Sequence, residues 1–273
     1  MRFPKLLPLV IGANVLVAYT YEVQVLAEER AVGRRAEVRE QSQDVQGVGI
    51  QEAMKALALV SVLLKSGYEV RACGPVINSD GAILTNYHVI ENAQKILVNL
   101  YDEETGSWNG ARAYEAKVVK SSEYYDFALL DIPADTPNYL RFAQEKDVNV
   151  GDEAKAIGNP MGLELSVSKG IISGVRTNSD LKQPYRIIPG ETMSEREFEQ
   201  ITWVQTDTAM NPGNSGGPLL NNKNEIIGIN TFVYRGQGLS GLNFALHVKH
   251  LRELVGHYYQ EPRGRKRDRQ RTR

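Results

Sequence analysis

The sequence predicts an all-β protein, built as antiparallel barrels or sandwiches, with a helix near its C-terminus. From Tyr68 onward, short apolar segments recur at close spacing with turn residues between them, which is typical of consecutive strands. Asp80-Gly81 is the strongest hairpin signal in the chain. With 273 residues, 42% of them hydrophobic, the chain can bury one large or two small cores.

The strands predicted in the first half follow one another with little between them. Residues 51–66 fit both a helix and a strand, because their apolar residues satisfy both periods. Alternation or apolar runs then predict strands over Ile96–Leu100, Tyr114–Lys120 and Phe127–Ile132. The irregular stretch 133–149 is expected to connect the two halves.

The second half repeats this pattern and adds a charged insertion. Strands are predicted over Val167–Val175, Thr202–Gln205, Ile226–Phe232 and Leu242–Leu246, and an amphipathic helix over Val248–Tyr259. Residues 180–200 are rich in charge and contain two prolines. Because irregular insertions of this size are uncommon and often functional, this one is interpreted either as a regulatory loop or as a surface elaboration.

The two ends of the chain differ from its middle. Residues 1–27 combine early basic groups with an apolar stretch of 16 residues, shorter than the roughly 20 of a spanning helix. They predict a signal peptide or an N-terminal membrane anchor, and either places the rest outside the cytoplasm. Residues 28–50 are interpreted as a polar linker. Residues 261–273 hold seven Lys or Arg and two acidic groups, and we expect a solvated, disordered tail without a specific nucleic-acid partner.

The segment 207–220, with the sequence DTAMNPGNSGGPLL, sets Ser215 among glycines before an apolar strand. A serine hydroxyl becomes a useful nucleophile when a base accepts its proton and N–H groups hold the oxyanion that forms. Gly213 and Gly216 allow backbone conformations that a Cβ forbids. This freedom can direct the N–H groups of Gly213 and Ser215 to one point. The alternative is an ordinary loop between two strands, since the same residue types dominate turns.

A base and an acid for Ser215 are present in the first half. The chain has four histidines, and His88 alone stands outside the C-terminal helical region. Asp126 opens the strand that begins in YDFALLD, and it is preferred to Asp131, which lies five residues further along. The order His, Asp, Ser is that of one known arrangement of the serine-hydrolase triad.

Four blocks together resemble the trypsin-like proteases of the HtrA (Deg) family. They are TNYHVI, DFALLDI, AIGNPMGLELSVSKGIISG and QTDTAMNPGNSGGPLL, and the resemblance covers roughly residues 57–250. It implies two six-stranded antiparallel barrels, residues 51–150 and 151–260, with the active site between them and a first strand near 57–65. It also implies a peptide-hydrolysing enzyme that acts on proteins or peptides and needs no cofactor.

The same resemblance assigns roles to individual residues. His88, Asp126 and Ser215 become the catalytic triad, and the N–H groups of Gly213, Ser215 and Asn214 the oxyanion hole. The primary pocket is expected at Ala209, Met210 and Val233. Medium-sized apolar walls there favour an aliphatic residue before the scissile bond. Asp207, near this pocket, is given a structural place.

Some questions stay open at this point. Many members of the family are trimers, but no motif here establishes assembly. Relatives often add a PDZ domain, whereas the 23 residues after His250 predict the protease domain alone. The rival function is a catalytically silent or partner-activated binding module on the same fold. Cys73, the only cysteine, is expected to be a buried hydrophobe, and no metal-ligand cluster is recognised.

Overall fold

The molecule is represented by a computed structural model that describes residues 49–108, 112–159, 166–184, 186–211, 213–234 and 242–258. The predicted signal or anchor segment, most of the predicted linker and the basic tail lie outside these residues. Among the helices described, none is long and apolar enough to cross a membrane.

The first half forms two antiparallel sheets. Its elements are α1 Ile50–Lys55, β1 Leu57–Leu64, β2 Glu69–Pro75, β3 Ala82–Thr85, α2 Tyr87–Ile90, β4 Ala93–Leu100, β5 Ala113–Glu115, β6 Lys117–Ser122 and β7 Phe127–Asp131. One sheet has the order β2-β1-β4-β5 and the other the order β3-β7-β6. An antiparallel bridge between Val76 and Ile83 joins them. This hairpin contains the Asp80-Gly81 turn that the sequence predicts.

The ambiguous segment 51–66 contains both elements, first α1 and then β1. Strand β1 pairs with β2 on one side and with β4 on the other. Leu57 and Leu59 face the core that continues into the second half, while Ala58 and Val60 face a core confined to the first. A strand buried on both faces shows no alternation of apolar and polar residues, which explains the ambiguity.

The second half is a closed barrel. Its elements are β8 Glu153–Gly158, β9 Ser166–Thr177, α3 Glu195–Glu199, β10 Thr202–Thr206, β11 Pro218–Leu220, β12 Ile226–Val233, β13 Asn243–His247 and α4 Val248–Val255. The six strands close in the order β10-β13-β12-β11-β8-β9. The connection between the halves runs beside this barrel, where Phe142 bridges Ile226.

The predicted all-β class is confirmed, with a closed six-stranded barrel in the second half and a C-terminal helix. A second six-stranded barrel was predicted for the first half, but the strands described there form separate sheets of four and three strands, joined at the Val76–Ile83 bridge. Two further details differ. The strand predicted over 114–120 is divided at Ala116 into β5 and β6, which belong to different sheets. The C-terminal helix ends at Val255 rather than at residue 259, because Gly256 takes a φ of 53° and a 3₁₀ turn follows.

Candidate active site

His88 is held against Asp126 by two hydrogen bonds. It lies in α2, the short helix that follows β3, and Asp126 directly precedes β7. The His88 Nδ1 atom is 2.6 Å from Asp126 Oδ2, and the His88 backbone N–H donates to Asp126 Oδ1 at 2.8 Å. One carboxylate therefore fixes both the ring and its backbone. Asp131 lies at the opposite end of β7, paired with Ala82 and Lys117.

A buried asparagine supports this pair. Asn86 is fully buried, and its side-chain N–H₂ donates to the backbone oxygen of Asp126 at 3.0 Å and to Thr231 Oγ1 at 3.2 Å. Asp126 has a φ of 47°, a conformation that non-glycine residues adopt only when their surroundings hold them there. Asn86 thus ties the strained acid to β12 of the second half.

Two opposing effects set the pKa of His88. Burial penalises the imidazolium and by itself lowers this pKa. The hydrogen bond and the negative charge of Asp126, with a smaller contribution from Glu91, outweigh burial and raise the pKa above its usual 6.5. The pair thus has the electrostatics required of a base that becomes charged during the reaction.

The Ser215 loop is packed against the first half through its backbone. The Cys73 N–H donates to the Ser215 carbonyl at 3.3 Å. Gly216 has a φ of 77°, and a Cβ there would lie closer than 3.0 Å to Thr85 Oγ1 and to the carbonyl of Cys73. Thr85 ends β3, three residues before His88. The loop therefore needs glycine for this close approach, which brings it beside the strand that leads to His88.

The three residues predicted for the oxyanion hole have different roles in the loop. Gly213 adopts a φ of 102°, and its carbonyl accepts the N–H of Asn159 at 3.2 Å. The Asn214 N–H is already used, since it donates to the Asn211 carbonyl at 3.0 Å. Within the described part of the chain, the N–H groups of Gly213 and Ser215 have no backbone acceptor. The Asn214 N–H is thus engaged within the loop, whereas donation by Gly213 and Ser215 to an oxyanion stays a prediction.

A cavity of about 240 Å³ adjoins Ser215. Met210 and Val233, both predicted for the primary pocket, line it together with Ser215 and Phe232. Ala209 does not line it. This alanine is exposed, and its carbonyl accepts the Ser168 hydroxyl at 2.7 Å. The structure thus brings two of the three predicted pocket residues together beside the serine.

A larger cavity, of about 520 Å³, is lined by His88 and Asp126. It meets the Ser215 cavity at Thr231 and Phe232, which line both. Asn86, Thr231 and Phe232 were missed by sequence reasoning. Asn86 could have been found from its place two residues before His88, and Phe232 from its place beside Val233, but nothing in the sequence points to Thr231.

The neighbouring acid Asp207 has the structural place expected of it. Its Oδ1 accepts the N–H of Ile171 at 2.7 Å, and a Cβ on Gly170 would collide with it. The carboxylate is therefore engaged with β9 rather than with the cavity beside Ser215.

The other histidines are accounted for by α4 and the turn after it. His247 accepts the Lys249 N–H at the start of α4, and burial lowers its pKa to about 4. His250 accepts the N–H of Thr202 at 2.9 Å, and burial lowers its pKa to about 3. His257 is exposed in the 3₁₀ turn. His88 is the histidine in contact with a site carboxylate among the residues described.

Cys73 is fully buried, and burial raises the pKa of its thiol to about 12. A thiol is nucleophilic as its thiolate, which at pH 8 is about 10⁻⁴ of a group with this pKa. We therefore expect iodoacetamide to leave the native activity intact and Cys73→Ala to remain active, measured as cleavage of an unfolded protein. Stoichiometric inactivation of the wild type that Cys73→Ala escapes would contradict this.

The described residues contain no group of three or more His, Cys, Asp or Glu side chains that could hold a metal ion.

Comparison with known proteins places this geometry in a family. Residues 72–229 match the family model of the trypsin-like peptidase domain. A probable periplasmic serine endoprotease, DegP-like, from Chlamydia trachomatis is 38% identical over 178 residues, which are 65% of this chain and 31% of that protein. The magnetosome formation protease MamE of Paramagnetospirillum magneticum is 38% identical over 63% of this chain and 21% of its own. The chain thus spans about a third or less of these relatives.

Solved structures agree. The serine endoprotease from Yersinia pestis superimposes with a TM-score of 0.59 at 28% identity, over 76% of this chain and 63% of that one. The HtrA-type protease AlgW with a tripeptide gives 0.59 at 28% identity, over 77% and 63%. The chain therefore belongs to the trypsin-like peptidase family, and the predicted resemblance to its HtrA (Deg) members is confirmed.

Proposed function

We propose that the protein is a serine endopeptidase that uses Ser215, His88 and Asp126. The observation that carries the proposal is the 2.6 Å contact between His88 and Asp126, beside a glycine-rich loop that presents Ser215. Asp126 fixes the tautomer with the proton on Nδ1, which leaves Nε2 free to accept a proton from the serine.

The proposed reaction has two steps, acylation and deacylation of Ser215. Ser215 Oγ attacks the peptide carbonyl while His88 takes its proton, and the N–H groups of Gly213 and Ser215 bind the oxyanion. His88 then protonates the leaving amine, and an acyl-enzyme remains. In the second step His88 accepts a proton from a water molecule that attacks the acyl-enzyme. This step releases the carboxylic acid product and restores the Ser215 hydroxyl.

A second candidate is the same site in a partner-activated state. Among the described residues, no hydrogen bond joins Ser215 Oγ to His88, and this observation favours a triad that closes when substrate or a partner binds. Catalytic hydrogen bonds often tighten only in such complexes. The two candidates differ in whether the isolated protein turns over substrate.

The proposed substrates are proteins cleaved after aliphatic residues. Met210 and Val233 contribute apolar groups to the cavity beside Ser215, and none of the described residues that line it is an acid that could pair with a basic side chain. A Lys or Arg without such a partner would meet a desolvation penalty of several kcal/mol. Discrimination among aliphatic residues is expected to be modest, at about 1–3 kcal/mol for each methylene.

Digestion of casein by the purified protein tests both activity and specificity. We expect most new termini, mapped by mass spectrometry, to follow Val, Ala, Ile or Leu. A majority of cuts after Lys or Arg would overturn the pocket assignment. No digestion at all, with the fold intact, would favour the partner-activated candidate.

We also propose export, with a role in protein processing or quality control. The N-terminal segment 1–27 supports export, and the DegP-like relatives are named periplasmic. N-terminal sequencing of the mature protein distinguishes a cleaved signal from an uncleaved anchor.

A further inference from the structure

The inserted segment 180–200 crosses from one half of the protein to the other. It leaves the barrel after β9 and returns to it at β10, so it belongs to the second half. Its contacts include the turn formed by residues 122–126 of the first half, which ends at Asp126.

Glu191 makes the polar part of this contact. One of its carboxylate oxygens accepts the Ser122 hydroxyl at 2.7 Å, and the other accepts the N–H of Glu123 at 2.5 Å. Arg186 adds an ion pair with Glu123 at 2.8 Å, although its side chain is largely exposed. Hydrogen bonds to a charged acceptor are stronger than neutral ones, and the exposed ion pair contributes little.

Tyr124 makes the apolar part. It is buried, and its hydroxyl accepts the N–H of Ile188 at 3.2 Å. The ring of Phe198, from α3, lies edge-on to the Tyr124 ring at 6.0 Å. The serine that precedes α3, Ser194, forms a capping box with Glu197, which fixes the start of the helix. The inserted segment therefore contacts three consecutive residues at this turn, Ser122, Glu123 and Tyr124.

Hydrogen bonds within the 122–126 turn hold the backbone of Asp126 and of the residue before it. The Asp126 N–H donates to the Glu123 carbonyl at 3.1 Å, and the Tyr125 N–H reaches the Ser122 hydroxyl at 3.5 Å. Ser122 thus stands between Glu191 and the residue before Asp126. Because the φ of 47° at Asp126 is held by its surroundings, the contacts of the turn bear directly on the aim of its carboxylate.

We infer that Glu191 is a positioning residue for the proposed catalytic acid, and that the 180–200 segment aligns the His88–Asp126 pair by holding the 122–126 turn. The inference rests on the proposed function, since it assigns Asp126 to the triad. Glu191 is not expected to touch the substrate. It acts through Ser122 and Glu123.

The test compares Glu191→Ala, Glu191→Gln and the control Glu195→Ala, with rates normalised to sites titrated by a fluorophosphonate. Loss of the Glu191 hydrogen bonds should displace Asp126, and displacements of about 1 Å can cost roughly 10²-fold in rate. We expect Glu191→Ala to lower kcat/KM by about 10- to 100-fold, with a smaller loss in Glu191→Gln, which keeps an acceptor. Glu195 is exposed in the same segment, and its replacement should have no effect.

The pH profile separates positioning from general destabilisation. The groups that face His88 are Asp126 and Glu91, with Glu123, Arg186, Tyr87 and Tyr124 across the larger cavity. Neutral His88 is the active form, so the acid limb of kcat/KM follows its pKa. If Asp126 moves away, this limb should shift to lower pH in Glu191→Ala and shift less in Glu191→Gln, although both lose the same charge.

Two results would overturn the inference. One is wild-type kcat/KM in Glu191→Ala, and the other is a loss of rate with an unmoved acid limb, which indicates a merely structural role. Asp126→Asn measured alongside distinguishes the failures. If Asp126→Asn is inactive while Glu191→Ala is normal, only the positioning role falls. If Asp126→Asn is fully active, the triad assignment falls with it.

Discussion

Ser215→Ala is expected to lower kcat on a peptide substrate by about 10⁶-fold, and His88→Ala by a similar factor. The factors agree because the hydroxyl is a poor nucleophile without its base, and the base has no role without the hydroxyl. For the same reason, the double variant should lose little more than either single variant. Residual rate would come from substrate binding and from the N–H groups of the oxyanion hole.

Fluorophosphonate labelling provides an independent measurement of this result. The wild type should be labelled on the peptide that contains Ser215, and Ser215→Ala should not be labelled. Ser66→Ala, in an exposed turn of the first half, serves as the matched control and should behave as the wild type. Peptidase activity that survives in Ser215→Ala, free of contaminating protease, would contradict the assignment of the nucleophile.

Asp126→Asn is expected to leave the fold intact and to lower kcat roughly 10⁴-fold. An amide can donate to His88 Nδ1, which would place the ring proton on Nε2. A protonated Nε2 cannot accept the proton of Ser215. Loss of the negative charge also removes the effect that raises the pKa of His88. The acid limb of kcat/KM should therefore move to lower pH in this variant.

Asp131→Asn is the matched control for this prediction. Asp131 lies at the opposite end of the same strand, so its replacement should change the rate little. Near-normal proteolysis by Asp126→Asn together with an inactive Asp131→Asn would show that the wrong carboxylate had been chosen. Circular dichroism of both variants checks that the sheets are retained.

The candidate site residues that could be predicted are those that stand in a recognisable local sequence motif. His88, Asp126 and Ser215 each stand in a short block whose residue types suit the chemistry, and the structure brings His88 within 2.6 Å of Asp126. Most strands were also found, because they are short apolar runs bounded by turn residues. The residue pattern alone did not resolve β1 from a helix, because residues on both of its faces are apolar. The family resemblance placed a first strand near 57–65, and β1 spans Leu57–Leu64.

The residues that could not be predicted owe their roles to tertiary contacts. Nothing local connects Asn86 with Thr231, which are 145 residues apart and hydrogen-bonded. The partner of Glu191 lies 69 residues earlier, in the other half of the fold. The Asn214 N–H was offered to the oxyanion because its position suggested it, but the loop uses this group internally. Sequence spacing does not determine which way a backbone N–H points.

The junction at Gly216 and Gly217 has a mechanical consequence. At both positions a Cβ would lie closer than 3.0 Å to a backbone oxygen, from Cys73 at Gly216 and from Ile157 at Gly217. The contact at Gly216 joins the two halves, since Cys73 lies in the first, whereas Ile157 and Gly217 both belong to the second. A small rotation of one half against the other would displace the backbone next to Ser215, so the position of the nucleophile depends on how closely the two halves pack at Gly216.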